Sequence, residues 1–103
     1  MSEARIARIW TGHVPNGKAA KYKSLMLEVA LPHYNSVEGN AGAWCLSRDL
    51  PNGLTEFRML TLWNSIEAIK AFAGEDYQTA LYYDFDDEFL VEKAELVEHF
   101  DID

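Results

Sequence analysis

Hydrophobic positions change period several times along the chain, and each change marks an element. From Lys18 onward, Tyr22, Leu25, Met26, Val29 and Ala30 recur at the spacing of one helical face, with Lys18, Lys21, Ser24 and Glu28 on the other. This amphipathic helix follows the turn residues Pro15, Asn16 and Gly17, and Pro32 is expected to end or kink it, because its ring would clash with the carbonyl of Glu28. His33 and Tyr34 then fall in an irregular segment read as a surface turn. Before the helix, residues 5–14 are β-rich, with Arg8, Trp10 and Gly12 on one face and Ala7, Ile9, Thr11 and His13 on the other. Residues 40–48 form a second strand, in which Trp44 and Leu46 oppose a small-residue face of Ala43, Cys45 and Ser47, and Pro51, Asn52 and Gly53 turn it into a hairpin.

The best-specified unit spans residues 54–74, a buried strand through Trp63 leading into a short helix with an apolar stripe of Ile66, Ile69 and Phe72. Asn64 is expected to cap its start, with Glu67 reaching back as in a capping box, and Gly74 to close its end. Residues 75–83 carry Tyr77, Ala80, Leu81 and Tyr82 and are expected to add a helical turn or two. Asp84, Asp86, Asp87 and Glu88 make an acidic run without the central glycine of a calcium loop, read as solvated surface. Residues 93–102 alternate loosely and supply a fourth, edge strand.

The order strand, helix, strand, strand, helix, strand predicts an α+β, ferredoxin-like βαββαβ fold: an antiparallel sheet with helices on one face, formed by a single domain over residues 1–103. The other sheet face is left bare, carrying either Phe57, Met59 and Trp63 or Leu60 and Leu62. A second copy of the chain is the expected cover, giving a homodimer with two sheets face to face.

Composition narrows the partners. Nine basic and 17 acidic residues leave a net charge of −8, which disfavours nucleic acid and anionic membrane surfaces by repulsion. Cys45 is the single cysteine, without a neighbouring histidine or basic cluster to activate it, and is read as a small buried hydrophobe. With neither a signal-peptide pattern nor an apolar run of membrane-spanning length, the cytoplasm is the expected location. The sequence holds no glycine-rich dinucleotide fingerprint, phosphate loop or Gly-x-Ser-x-Gly elbow. Its histidines are scattered at positions 13, 33 and 99, so neither a metal site nor a bound cofactor is expected.

An IARIW first strand, the Gly39-Asn40-Ala41-Gly42 segment, the central block LTLWNSIEAIKAFAG, the pair Tyr82-Tyr83 and a terminal VEHF together resemble the antibiotic biosynthesis monooxygenase family of the dimeric α+β barrel superfamily. The resemblance implies a dimeric barrel with a pocket between helices and sheet in each subunit, and oxygen chemistry in some members. One branch of that superfamily degrades haem with an asparagine, a tryptophan and a histidine at places that hold Trp10, Phe72 and Tyr82 here, so the axial ligand is missing and haem degradation is disfavoured. The same comparison implies that positions 10, 72 and 82 line the pocket.

A cofactor-independent oxygenase must draw its electrons from the substrate, because triplet oxygen reacts readily only with electron-rich anions such as phenolates and enolates. Such a site needs an aromatic cavity for a flat substrate, a base or cation that favours the anion, and donors for an oxyanion. Trp10, Trp44, Trp63, Phe72, Tyr82 and Tyr83 are the expected cavity residues, Arg8 or Arg58 the oxyanion partner, and His13 or His99 the proton carrier. Two other readings remain open at this level: a non-catalytic binder of an aromatic metabolite, and a non-oxidative isomerase or lyase of polyketide-like compounds.

Overall fold

The computed structural model describes residues 4–103. Four strands, β1 (Ile6–Pro15), β2 (Asn40–Asp49), β3 (Leu54–Trp63) and β4 (Glu98–Asp101), form one sheet in the order β2-β3-β1-β4, with every neighbouring pair antiparallel. This is the ferredoxin-like arrangement predicted from the element order. β1 and β3 are central and ten residues each, and their register places Arg8 opposite Thr61, Trp10 opposite Met59 and Gly12 opposite Phe57.

The pleat decides which alternation is covered. Ile6, Arg8, Trp10, Gly12 and Val14 of β1 are buried, as are Thr55, Phe57, Met59, Thr61 and Trp63 of β3. These residues lie beneath the helices. The opposite face carries Ile9, Leu60, Leu62, Trp44, Leu46 and Phe100, of which Trp44, Leu46 and Phe100 are about half exposed. The bare face is therefore the Leu60 and Leu62 set.

The first helical segment runs further than its proline suggests. A 3-10 turn leads into α1 (Ala19–Leu25), which widens into a π-helical stretch at Met26–Ala30 and continues as α2 (Leu31–Ser36). Pro32 neither ends nor breaks it. It falls in the first turn of α2, just after the widened turn where the missing N–H makes the smallest difference. Tyr22, Met26, Ala30 and Tyr34 face inward from this helix, so Tyr34 is a buried helical residue and not part of a surface turn.

Helix α3 (Ile66–Ala73) is capped one residue later than the sequence suggests. Ser65 is extended and its Oγ accepts the Ala68 N–H at 3.1 Å, whereas Asn64 spends its backbone N–H on the Gly39 carbonyl. Gly74 closes the helix as expected, with φ of 92° and its N–H on the Lys70 carbonyl at 2.7 Å. Residues 75–83 do not extend the helix. They run as bends and turns held by an isolated bridge between Thr79 and Leu96, with Ala80 N–H on the Glu95 carbonyl and Val97 N–H on the Gln78 carbonyl, both at 2.8 Å. The next helix, α4 (Asp86–Phe89), lies inside the acidic run that was expected to be solvated, and Asp86 is 2 % exposed. β4 is shorter than the predicted 93–102 strand because Ala80 and Gln78 claim the backbone before it.

Candidate functional site

A small cavity of about 10 Å³ lies between sheet and helices. Trp10 and Met59 floor it from adjacent strands, Tyr22, Met26 and Tyr34 wall it from the first helical segment, and Leu81, Tyr83 and Asp86 close it from the 75–90 region. Among these side chains only Leu81 is exposed, so it stands at the mouth. A volume of this size admits at most one water, and a larger ligand needs the Leu81 and Tyr83 segment to give way.

Aromatic rings surround the cavity. Tyr22 packs edge-on against Phe57 at 5.0 Å and tilted against Phe89 at 5.3 Å. Tyr83 stacks parallel on Phe85 at 5.4 Å, and its hydroxyl shares a 2.8 Å hydrogen bond with His33 Nδ1. Burial raises the pKa of both the Tyr22 and Tyr83 phenols well above the usual range, so they are hydrogen-bonding groups and not phenolates.

Asp86 is the group the sequence reading missed. Its Oδ1 accepts the Tyr22 hydroxyl at 2.7 Å and its Oδ2 the Tyr83 N–H at 2.7 Å. Burial raises its pKa, and the bonds from Tyr22 and Tyr83 only partly offset this. Lys93, a cation whose charge acts on it, is hydrogen-bonded to Asp87 instead. The legible signal was spacing: Asp86 lies three residues before Phe89, on the same helical face.

Behind Tyr34 lies a second polar centre. Arg8 is 1 % exposed, its Nη2 makes long hydrogen bonds to the carbonyls of Thr79 at 3.3 Å and Tyr77 at 3.4 Å, and its guanidinium carbon lies 5.6 Å over the Phe72 ring. Among the described residues no carboxylate pairs with it, and its Nε has no partner. Burial lowers its pKa, partly offset by the Tyr34 phenol beside it. His99 faces Arg8 directly across β1 and β4, with its ring edge on Tyr77 at 5.1 Å and its Nε2 also unpartnered. Burial first and then the Arg8 charge lower the His99 pKa, which keeps the imidazole neutral near pH 7.

The residues singled out from the sequence divide into three groups. Trp10 and Tyr83 line the cavity. Phe72 packs one layer away, on Trp63 at 5.3 Å and Tyr34 at 5.1 Å, and Trp63 is wholly buried with its indole N–H on Thr61 Oγ1 at 2.9 Å, where it pins β3 to α3. Tyr82 covers Trp10 from outside, edge-on at 6.2 Å, with its hydroxyl on the Ala94 carbonyl. Arg8 and His99 form the second centre just described.

His13, Trp44 and Arg58 are on the opposite, open face of the sheet and cannot touch a ligand in this cavity. There Glu56 gathers Arg48 at 2.7 Å, His13 at 3.2 Å and Arg58 at 3.4 Å, beside a 230 Å³ hollow that also meets Leu46 and Ser47. Burial works to raise the Glu56 pKa, but the bonds from Arg48 and His13 and the Arg48 and Arg58 charges outweigh it and hold the carboxyl below its ordinary range. Cys45 is half-buried on the helix-facing side of β2, and burial raises its thiol pKa. Among the described residues no group of three or more His, Cys, Asp and Glu is placed to hold a metal ion, and no helix is long and apolar enough to cross a membrane.

No family model matches the sequence, and no curated protein matches it. Solved structures do. A Bacillus cereus protein named a "putative antibiotic biosynthesis monooxygenase" superposes with a TM-score of 0.64 at 16 % identity, covering 97 % of this chain and 94 % of its own. A Caulobacter crescentus CB15 protein of the same name superposes with a TM-score of 0.66 at 21 % identity, covering 97 % of this chain and 91 % of its own. The chain therefore has the fold of proteins so named, over essentially its whole length, in agreement with the resemblance read from its motifs. At these identities the likeness carries the fold, and function has to be argued from the site.

Proposed function

We propose that this protein is a cofactor-independent monooxygenase acting on an aromatic or polyketide-like phenol or enol, bound in the aromatic interior between sheet and helices. The observation that carries this reading is the juxtaposition of an aromatic-walled cavity with Arg8, a buried cation that has no carboxylate partner among the described residues. A buried guanidinium without a counter-ion favours a ligand that becomes an anion. The fold shared with the two proteins named above supports the same reading.

The reaction balances without any further electron donor. An electron-rich anion adds to oxygen to give a hydroperoxide at carbon, and loss of water leaves a carbonyl: a ring CH₂ becomes C=O, one oxygen atom enters the product and the other leaves as water. Arg8 does not line the cavity and acts through Tyr34, whose phenol lies between them, so that its charge favours negative charge developing on the substrate oxygen. Trp10 and Tyr83 give the ring its flat faces, and Phe72, Trp63 and Tyr82 hold those walls in place.

The protein acts in this reading as a cytoplasmic homodimer. The open face of Ile9, Leu60, Leu62, Trp44, Leu46 and Phe100 is the surface a second copy would cover, which would also enclose His13 and Arg58 at the subunit contact.

The test is a thermal-shift screen of hydroquinones, anthrones, flavonoid-like phenols and haem, with oxygen uptake followed on every ligand that stabilises the protein. Uptake with a phenol or anthrone is expected. Stabilisation without uptake by any of them would make the protein a binder or a non-oxidative enzyme, and haem binding with a spectral change would overturn the argument from the missing histidine.

A further inference from the structure

Among the described residues Asp86 is the one carboxylate that lines the cavity, and its surroundings are unusual for an acid. It is 2 % exposed and has both oxygens engaged by neutral donors, the Tyr22 hydroxyl and the Tyr83 N–H. The ionisable groups facing it are phenols: Tyr22 and Tyr34 from the first helical segment, and Tyr82 and Tyr83 from the chain before α4. Of the two charged groups nearby, Lys93 and Asp87 are bonded to each other. A buried carboxylate with hydrogen bonds but no cation has two accessible protonation states, which suits it to proton transfer more than to structural ion pairing.

His99, the other candidate for that work, is held behind Arg8 and does not line the cavity. Placement therefore separates the two.

We propose that Asp86 is the proton acceptor of the interior site, oriented by Tyr22, and that it takes the acidic hydrogen of a ligand that enters past Leu81. This rests on the phenol or enol reading above. For an anthrone, the C10–H bond breaks heterolytically, the proton goes to an Asp86 carboxylate oxygen, and the electron pair moves into the ring system to leave an enolate oxygen. Tyr22 is a positioning residue: its hydroxyl fixes one carboxylate oxygen and favours the ionised form, so that the acceptor stays charged at a lower pH than burial alone would permit.

The experiment mixes anthrone with the full chain without oxygen, follows the enolate by its absorbance across a pH series, and then admits oxygen and follows uptake. Wild type is expected to form enolate faster than buffer. Asp86→Asn is expected to lose at least about 100-fold of that rate, the ordinary contribution of a positioned base. Because Asp86→Asn replaces one accepting oxygen by a donor and so also alters the bond with Tyr22, Tyr22→Phe provides the second readout: it keeps the carboxylate, removes one of its donors, and is expected to move the rising limb of the pH profile upward. A purely structural Asp86 would leave the position of that limb unchanged.

The proposal is overturned if wild type forms no more enolate than buffer, if Asp86→Asn forms as much as wild type, or if Tyr22→Phe leaves the profile in place. Enolate that forms through Asp86 but consumes oxygen no faster than free enolate would keep Asp86 as the acceptor and remove the oxygenase reading. Oxygen uptake undiminished in Asp86→Asn would do the reverse.

Discussion

Tyr22→Phe also makes a stability prediction that can be worked out from the structure. The Tyr22 ring is fully buried, packed against Phe57 and Phe89, and phenylalanine keeps that packing while deleting one oxygen. The loss is therefore confined to the 2.7 Å bond to Asp86 Oδ1. A hydrogen bond to a charged group contributes about 1.5–3 kcal/mol, and one between neutral groups about 0.5–1.5 kcal/mol. Which value applies depends on whether Asp86 carries charge.

Its folded pKa is raised by burial, so protonation of Asp86 contributes stability that is fully present below the unfolded pKa and is lost as pH rises through the folded one. Removing the Tyr22 donor raises the folded pKa further. The two proteins must then differ most above that pKa, where a charged Asp86 lacks a donor, and least in acid, where a neutral carboxyl has lost a weaker bond. Urea unfolding followed by tryptophan fluorescence, from neutral pH into the acid range, should show a penalty of about 1.5–3 kcal/mol shrinking toward about 0.5–1.5 kcal/mol. A penalty constant across that range, or absent near neutral pH, would refute both the buried charge and the bond that satisfies it.

Three other outcomes follow from the packing. Trp63→Ala should cost about 3–5 kcal/mol in urea unfolding, because a wholly buried ring packed tilted against Phe72 leaves a cavity and frees Thr61 of its indole donor. Gly39→Ala should cost about 1–3 kcal/mol in the same assay, since φ is 89° there and the added methyl would overlap the Ala68 side chain; a neutral result would mean α3 can shift away from the β2 entrance. Leu60→Arg on the open face should leave the far-ultraviolet circular dichroism intact and give a monomer by sedimentation at micromolar concentration, and a dimer that persists would place the subunit contact elsewhere.

Much of the fold was written locally. The inward positions Tyr22, Met26 and Ala30, the alternation of β1, the turn at Pro51-Asn52-Gly53 and the closing glycine at 74 each depend on neighbours within a few residues and lie where the pattern put them, whereas Val29 of the same expected stripe is turned outward, 43 % exposed, in the π-helical stretch. The misplacements were local rules overridden by tertiary partners. Ser65 took the capping role from Asn64, whose backbone is tied to Gly39, and residues 75–83 gave up helix because residues 95–97 offered them a ladder. The helix passed through Pro32 because a π-helical stretch precedes it, inside a segment whose inner face is already docked on the sheet.

The candidate site was less legible for the same reason. Sequence alternation paired Arg8 with Trp10 on one face and set His13 on the other, but nothing in it says which face the helices cover. Strand register then put Trp44 and Arg58 on His13's face, away from the cavity that Trp10 floors. Asp86 read as one acid in a solvated run because its burial comes from Tyr22, 64 positions earlier. The order of the strands, the two-sided strands and the Tyr22, Met26 and Ala30 spacing were thus determined by the sequence on its own, since they arise from spacing and turn chemistry. The buried acid, the cation without a counter-ion and the separation of the two histidine faces were decided by the tertiary structure, since each is a contact between residues distant in the chain.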